Sequence, residues 1–91
     1  MNHVTTGGNW LFEIKVVRAI KCNKYGDAYS AAATINIVDG EAHVEGLISK
    51  DELSAIDNIE LERYIKELGF SYYVYSRYKN GKKRIIRKAI V

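Results

Sequence analysis

Between Tyr72 and Lys88, flat rings and cations recur at alternate positions, interrupted at Ile86. Tyr73, Tyr75, Arg77 and Lys79 alternate along one segment, and Lys82, Arg84 and Lys88 keep the same period in the next. In an extended chain alternate residues share a face, so each set projects together. Lys and Arg attract phosphate, and phenol rings give bases something to stack on, so interleaving them makes a surface suited to nucleic acid. An acidic protein surface would suit the same cations. The bland reading is also physical: Tyr is a good strand former, and Lys on an edge strand deters edge-to-edge pairing.

Other reactive types are sparse. Cys22 is the single cysteine, so it has no disulfide partner. Asp27 is near it in sequence, but His3 and His43 are the only histidines, so no base is placed to activate the thiol. Glu41, His43 and Glu45 alternate on one strand face, a loose arrangement that reads as surface rather than as a metal site. There is no phosphate-binding glycine loop, dinucleotide fingerprint or nucleophile elbow. The expectation is a non-enzyme with no cofactor and no metal.

The charge is lopsided. Residues 71–91 carry seven bases and no acid, whereas residues 1–70 carry seven bases and eleven acids, so a net +3 conceals +7 and −4. Either the basic end is a solvated face compensated by acids of its own fold, or it meets a partner. At 91 residues, 47% of them hydrophobic, the chain has material for one small core. No apolar run approaches the length of a membrane span and no leader is visible, so a cytoplasmic location with no membrane contact is expected.

Stepping along the chain, residues 1–9 read as a flexible polar lead, and 10–91 as a single domain. Trp10, Phe12, Ile14 and Val16 alternate with Glu13 and Lys15, predicting a half-buried strand from Trp10 to Ile20. Asp39-Gly40 marks a type I′ hairpin turn, which pairs Ile37 with Ala42, Ile35 with Val44, Ala33 with Gly46 and Ala31 with Ile48; the alternative at Gly46 is a bulge. Ser49 with Glu52 reads as a capping box opening a helix whose apolar side holds Leu53, Ile56, Leu61, Tyr64, Ile65 and Leu68. Glu62 and Lys66 form an (i, i+4) pair on its other side. A second box at Asp57–Glu60 leaves open whether the helix is continuous or broken near Asp57. Gly69 supplies the stop.

Asn80-Gly81 sets a last hairpin, with Tyr78 opposite Lys83, Arg77 opposite Arg84 and Tyr73 opposite Lys88. Tyr72, Val74, Ile85 and Ala89 read as its core side. Tyr73, Tyr75, Arg77, Lys79, Lys82, Arg84, Ile86 and Lys88 read as its outer side. Arg77 and Arg84 repel each other unless an anion lies nearby.

The expected fold is therefore α+β, ordered β-β-β-α-β-β, a mainly antiparallel five-stranded sheet with one helix on one face. The crossover helix places the fourth strand parallel to the third. Three strands followed by a helix resemble, in order, the DNA-binding domains of some integrases. The third strand, helix and fourth strand, with Glu67-Leu68-Gly69-Phe70 at the helix end, are similar in order to the acetyl-CoA-binding half of N-acetyltransferases. That resemblance implies a pyrophosphate-cradling turn before the helix. Gly46–Glu52 lacks the Arg/Gln-x-x-Gly-x-Gly/Ala pattern and carries two acids, which repel phosphate from a helix N-terminus.

The reading favoured is a small binding module contacting DNA or RNA through Tyr73, Tyr75, Arg77, Lys79, Lys82, Arg84 and Lys88. The alternatives are a protein-interaction or homodimerisation module using the same strands, and a degenerate N-acetyltransferase-like fold without a coenzyme A loop.

Overall fold

Where the backbone must turn left-handed, the residues expected there do so. Asp39 and Gly40 have φ of 50° and 75°, and Asn80 and Gly81 have φ of 53° and 74°, the paired positive values of type I′ turns. The computed structural model describes residues 2–91; the side chains of Tyr78 and Lys79 lie outside the described residues. The elements are β1 (Val4–Gly7), β2 (Trp10–Glu13), β3 (Val16–Lys21), β4 (Ala31–Val38), β5 (Glu41–Ser49), α1 (Ala55–Glu67), β6 (Tyr72–Lys79) and β7 (Lys82–Ala89).

The fold is α+β. A five-stranded mixed sheet runs β3-β4-β5-β6-β7, and β1 with β2 forms a separate two-stranded sheet. Only β5 and β6 are parallel, because α1 carries the chain back across the sheet between them. The other neighbours are antiparallel.

The strand expected from Trp10 to Ile20 is divided between the two sheets. Its first part pairs with Val4–Gly7, inside the segment read as a flexible lead. Tertiary contacts fix this arrangement. The His3 amide donates to the Leu68 carbonyl at 2.9 Å, the His3 ring stacks on Phe70 at 4.8 Å, and the Ile14 amide donates to the His3 carbonyl at 2.7 Å. The expected half-burial fails at Trp10 and Phe12, which are 72% and 57% exposed, but holds at Ile14 and Val17, which pack against the core.

The β4–β5 register follows expectation from Val38↔Glu41 to Thr34↔Glu45, then slips, so that Ala32 opposes Ile48 and Ala31 opposes Ser49. Gly46, at φ 61°, sits in the slip. Glycine accepts that angle without strain, so the bulge forms there and bends the strand. The pairs Ala33–Gly46 and Ala31–Ile48 are thereby replaced, and Ile48 moves to the exposed side.

The helix is continuous through Asp57. Its cap is Ser54, not Ser49: the Ser54 hydroxyl accepts from the Asp57 amide at 3.1 Å, and the Asp57 carboxylate accepts from the Ser54 amide at 3.0 Å. Both serines offer a hydroxyl three residues before an acid, but Ser49 is held in the ladder opposite Ala31. Gly69, at φ 101°, ends the helix as expected.

Ile65 of α1 and Leu68 at its C-cap are fully buried against Ala33, Ile35, Ile37, Ala42, Val44 and Tyr73. Ile56, expected on the same stripe, is exposed, as is Ile59. Thus α1 covers the sheet face that holds Tyr73 and Tyr75, and among the described residues no helix covers the face that holds Tyr72 and Ile85. Among the described residues, no helix is long and apolar enough to cross a membrane.

Candidate nucleic-acid interface

The last hairpin has the register expected for it, from Tyr72↔Ala89 to Lys79↔Lys82. Its sidedness is reversed. The face expected outside points at α1: Tyr73 is 8% exposed and belongs to the core, and Tyr75 packs against that core. The face expected inside is open, with Ile85 71% exposed, although Val74 on that side is buried within the ladder. The physical reason is that a tyrosine can bury its ring while its hydroxyl finds an acceptor. Here the Tyr73 hydroxyl donates to Glu62 Oε1 at 2.8 Å.

The root of the hairpin, where β6 starts and β7 ends, is electrically closed. Lys88 Nζ lies 2.8 Å from the same Glu62 oxygen. The Lys88 ammonium holds the Glu62 carboxyl below its ordinary range, and Glu62 in turn raises Lys88. Burial, then the bond to Glu62, pushes the Tyr73 phenol up to about 12. Glu62 therefore spends its charge on Lys88 and Tyr73 rather than on the expected Lys66. On the open face Glu41 does the same work. It accepts from the Tyr72 hydroxyl at 2.9 Å and pairs with Arg87 at 3.1 Å, whose guanidinium lies 5.7 Å from the Tyr72 ring centre. That bond to Glu41 raises the Tyr72 phenol.

The tip is open. β5 and β6 pair only at His43↔Val74 and Val44↔Tyr75. Beyond this the bulge at Gly46 turns β5 aside, and β6 and β7 continue as a free two-stranded ribbon. Four residues on each strand, Ser76–Lys79 and Lys82–Ile85, span roughly 13 Å at ~3.3 Å per residue. Arg77, Lys82, Lys83 and Arg84 are exposed there, and among the described residues no carboxylate lies within ion-pair distance of them.

A cleft of about 930 Å³ fills the wedge between the splayed strands and the start of α1. Val44, Leu53, Leu61, Tyr73 and Tyr75 give it apolar and aromatic lining. Arg77, Lys83 and Lys88 stand on the hairpin side, and Glu45, Asp51 and Glu52 on the other.

Of the residues singled out in the sequence, Arg77, Lys82 and Arg84 come together at the tip, with Tyr75 half-buried at its base. Tyr73 is buried at the root, and Lys88, half-exposed, is paired there with Glu62. The side chain of Lys79 lies outside the described residues. Lys83 was missed because alternation assigns it to the opposite face. Lys83 nonetheless lines the cleft.

The other sequence candidates are engaged or isolated. Glu41 is committed to Tyr72 and Arg87, and Glu45 accepts from the Asn36 amide at 2.9 Å. Among the described residues no group of three His, Cys, Asp or Glu side chains is placed to hold a metal. The amides at the start of α1 face Ser54 and Asp57, and Asp57 is further held below its ordinary range by Lys21 at 2.9 Å. A carboxylate thus stands where a pyrophosphate would have to sit.

Comparison with known proteins finds no matching family model, curated protein or solved structure.

Proposed function

We propose that this chain is a non-enzymatic binding module that grips the phosphate backbone of a nucleic acid with the tip of the β6–β7 ribbon. The observation that carries this reading is the division of charge along one hairpin. The cations nearest the core are matched by Glu41 and Glu62, whereas Arg77, Lys82, Lys83 and Arg84 are exposed without carboxylate partners among the described residues. Ion pairing within the fold accounts for the cations at the root but not for those at the tip. Arg77 and Arg84 are paired directly across the ribbon and repel, and a phosphate between them relieves that repulsion. A two-stranded ribbon is also narrow enough to enter a nucleic-acid groove.

A second copy or an acidic protein is the competing partner. β7 is an edge of the sheet, but its cations oppose pairing with another β7. Titration of a labelled 12-base-pair duplex between 50 and 200 mM salt tests the reading. About four phosphate contacts make affinity fall on the order of a hundredfold across that range. A flat response from the duplex and from a 12-base single strand alike defeats it. A tight dimer in sedimentation that buries the tip favours self-association instead.

A further inference from the structure

We infer that the wedge between β5, β6 and the start of α1 receives an unpaired base, so that the preferred ligand is a single strand rather than a duplex; this rests on the phosphate-binding reading of the tip. Position comes first. Beyond Val44↔Tyr75 the two parallel strands separate, and the opening lies outside their carboxyl ends, where open sheets with a crossover helix place their ligands. Its volume, about 930 Å³, falls within the range of small-ligand sites.

Chemistry comes second. The half-buried Tyr75 lines the wedge together with Leu53 and Leu61, so a flat ring and apolar side chains are available to a base. The Tyr75 ring is already steadied by Tyr73, whose ring centre is 5.9 Å away. Arg77 and Lys83 stand at the hairpin wall, so a phosphate held by the ribbon leaves its own base facing inward. The opposite wall carries Asp51 and Glu52, which repel phosphate and accept hydrogen bonds from an exocyclic amine. The two walls thus orient a nucleotide. A duplex keeps its bases stacked inside and can use the tip but not the wedge.

The test measures binding of a fluorescent 12-mer of deoxycytidine and of a 12-base-pair duplex to the whole chain, with Tyr75→Leu and Tyr75→Phe beside the wild type. The wild type binds the single strand more tightly. Tyr75→Leu loses about tenfold or more for the single strand and leaves the duplex unchanged, while Tyr75→Phe keeps the stacking surface and the affinity. Because Tyr75→Leu also touches the core, a second measurement uses wild-type protein and a strand bearing one 4-thiothymidine. Its photo-crosslink maps to the segment around Tyr75 or to Leu53–Leu61. Equal single-strand and duplex affinity, an equal loss for both in Tyr75→Leu, or crosslinks confined to residues 80–84 overturn the wedge and leave the tip reading standing. No salt-dependent binding of either probe overturns the tip reading itself.

Discussion

At the root of the β6–β7 hairpin, Lys88 and Tyr73 share one oxygen of Glu62, and Arg87 and Tyr72 share Glu41. Four residues along each strand, Arg77 and Arg84 face each other with no carboxylate in reach among the described residues. The two ends have the same ingredients, phenols and cations at alternate positions of a single ladder. They differ in what lies beside them. The root is flanked by α1 and by β5, which bring in the carboxylates of Glu62 and Glu41; the tip has no such neighbour among the described residues. A cation in the first setting belongs to the fold. In the second it is available to something else.

Breaking the root should cost most. Tyr73→Ala removes a core ring and leaves Glu62 and Lys88 without the phenol, and the expected loss is about 3–5 kcal/mol, read from urea unfolding. A loss below 1 kcal/mol would mean that the ring is not packed as described. Gly46→Val comes next. It forces a β-branched side chain into φ 61°, at an expected cost of about 1–2 kcal/mol, and the readout that sharpens the comparison is the ribbon. If the bulge is what separates tip from root, amide exchange over residues 76–85 should change more than exchange in β3.

Glu62→Gln keeps the acceptor and removes its charge, for an expected cost of about 1 kcal/mol. The pH dependence has a defined sign. Lys88 lowers the folded-state value of Glu62, so this contribution is present above the ordinary 4.5 and fades as pH falls through the lower folded value. The gap between wild type and Glu62→Gln should therefore close on acidification. At the other end of the scale, the Tyr73 phenol is raised from 10.0 to about 12, so its contribution is intact below pH 10 and is lost as pH climbs toward 12. Urea midpoints at pH 9 and pH 11 should show that decline in the wild type.

The smallest expected change in stability, within about 0.5 kcal/mol, is that of Arg77→Ala with Arg84→Ala. The same pair should reduce the slope of log affinity against log salt by about 2 for any nucleic-acid sequence. An unfolded double variant would erase the distinction between the two ends.

Much of this architecture was legible because it is local. Asp39-Gly40 and Asn80-Gly81 tolerate the positive φ of tight turns, and once the turn is set the pairing follows residue by residue as far as the strand stays regular. Gly69 ends α1 for the same reason. What misled was range. Ser49 and Ser54 are equally good caps by type, and only the ladder to Ala31 decides between them. His3 looks like part of a loose lead until Leu68 and Phe70, more than sixty residues away, give it a place.

The sequence by itself determined the α+β order, the register of the last hairpin and the crowding of cations at one end of the chain, because turn geometry, side-chain alternation and charge are properties of neighbours. Only the tertiary structure decided which side of that hairpin faces α1. Alternation says that Tyr73 and Tyr72 oppose each other but not which is inside; the path of the crossover helix and the reach of Glu62 and Glu41 settle it. That choice buries Tyr73 and pairs Lys88 with Glu62, while Arg77 and Arg84, on the same face, stay exposed because they lie beyond the last pairing with β5.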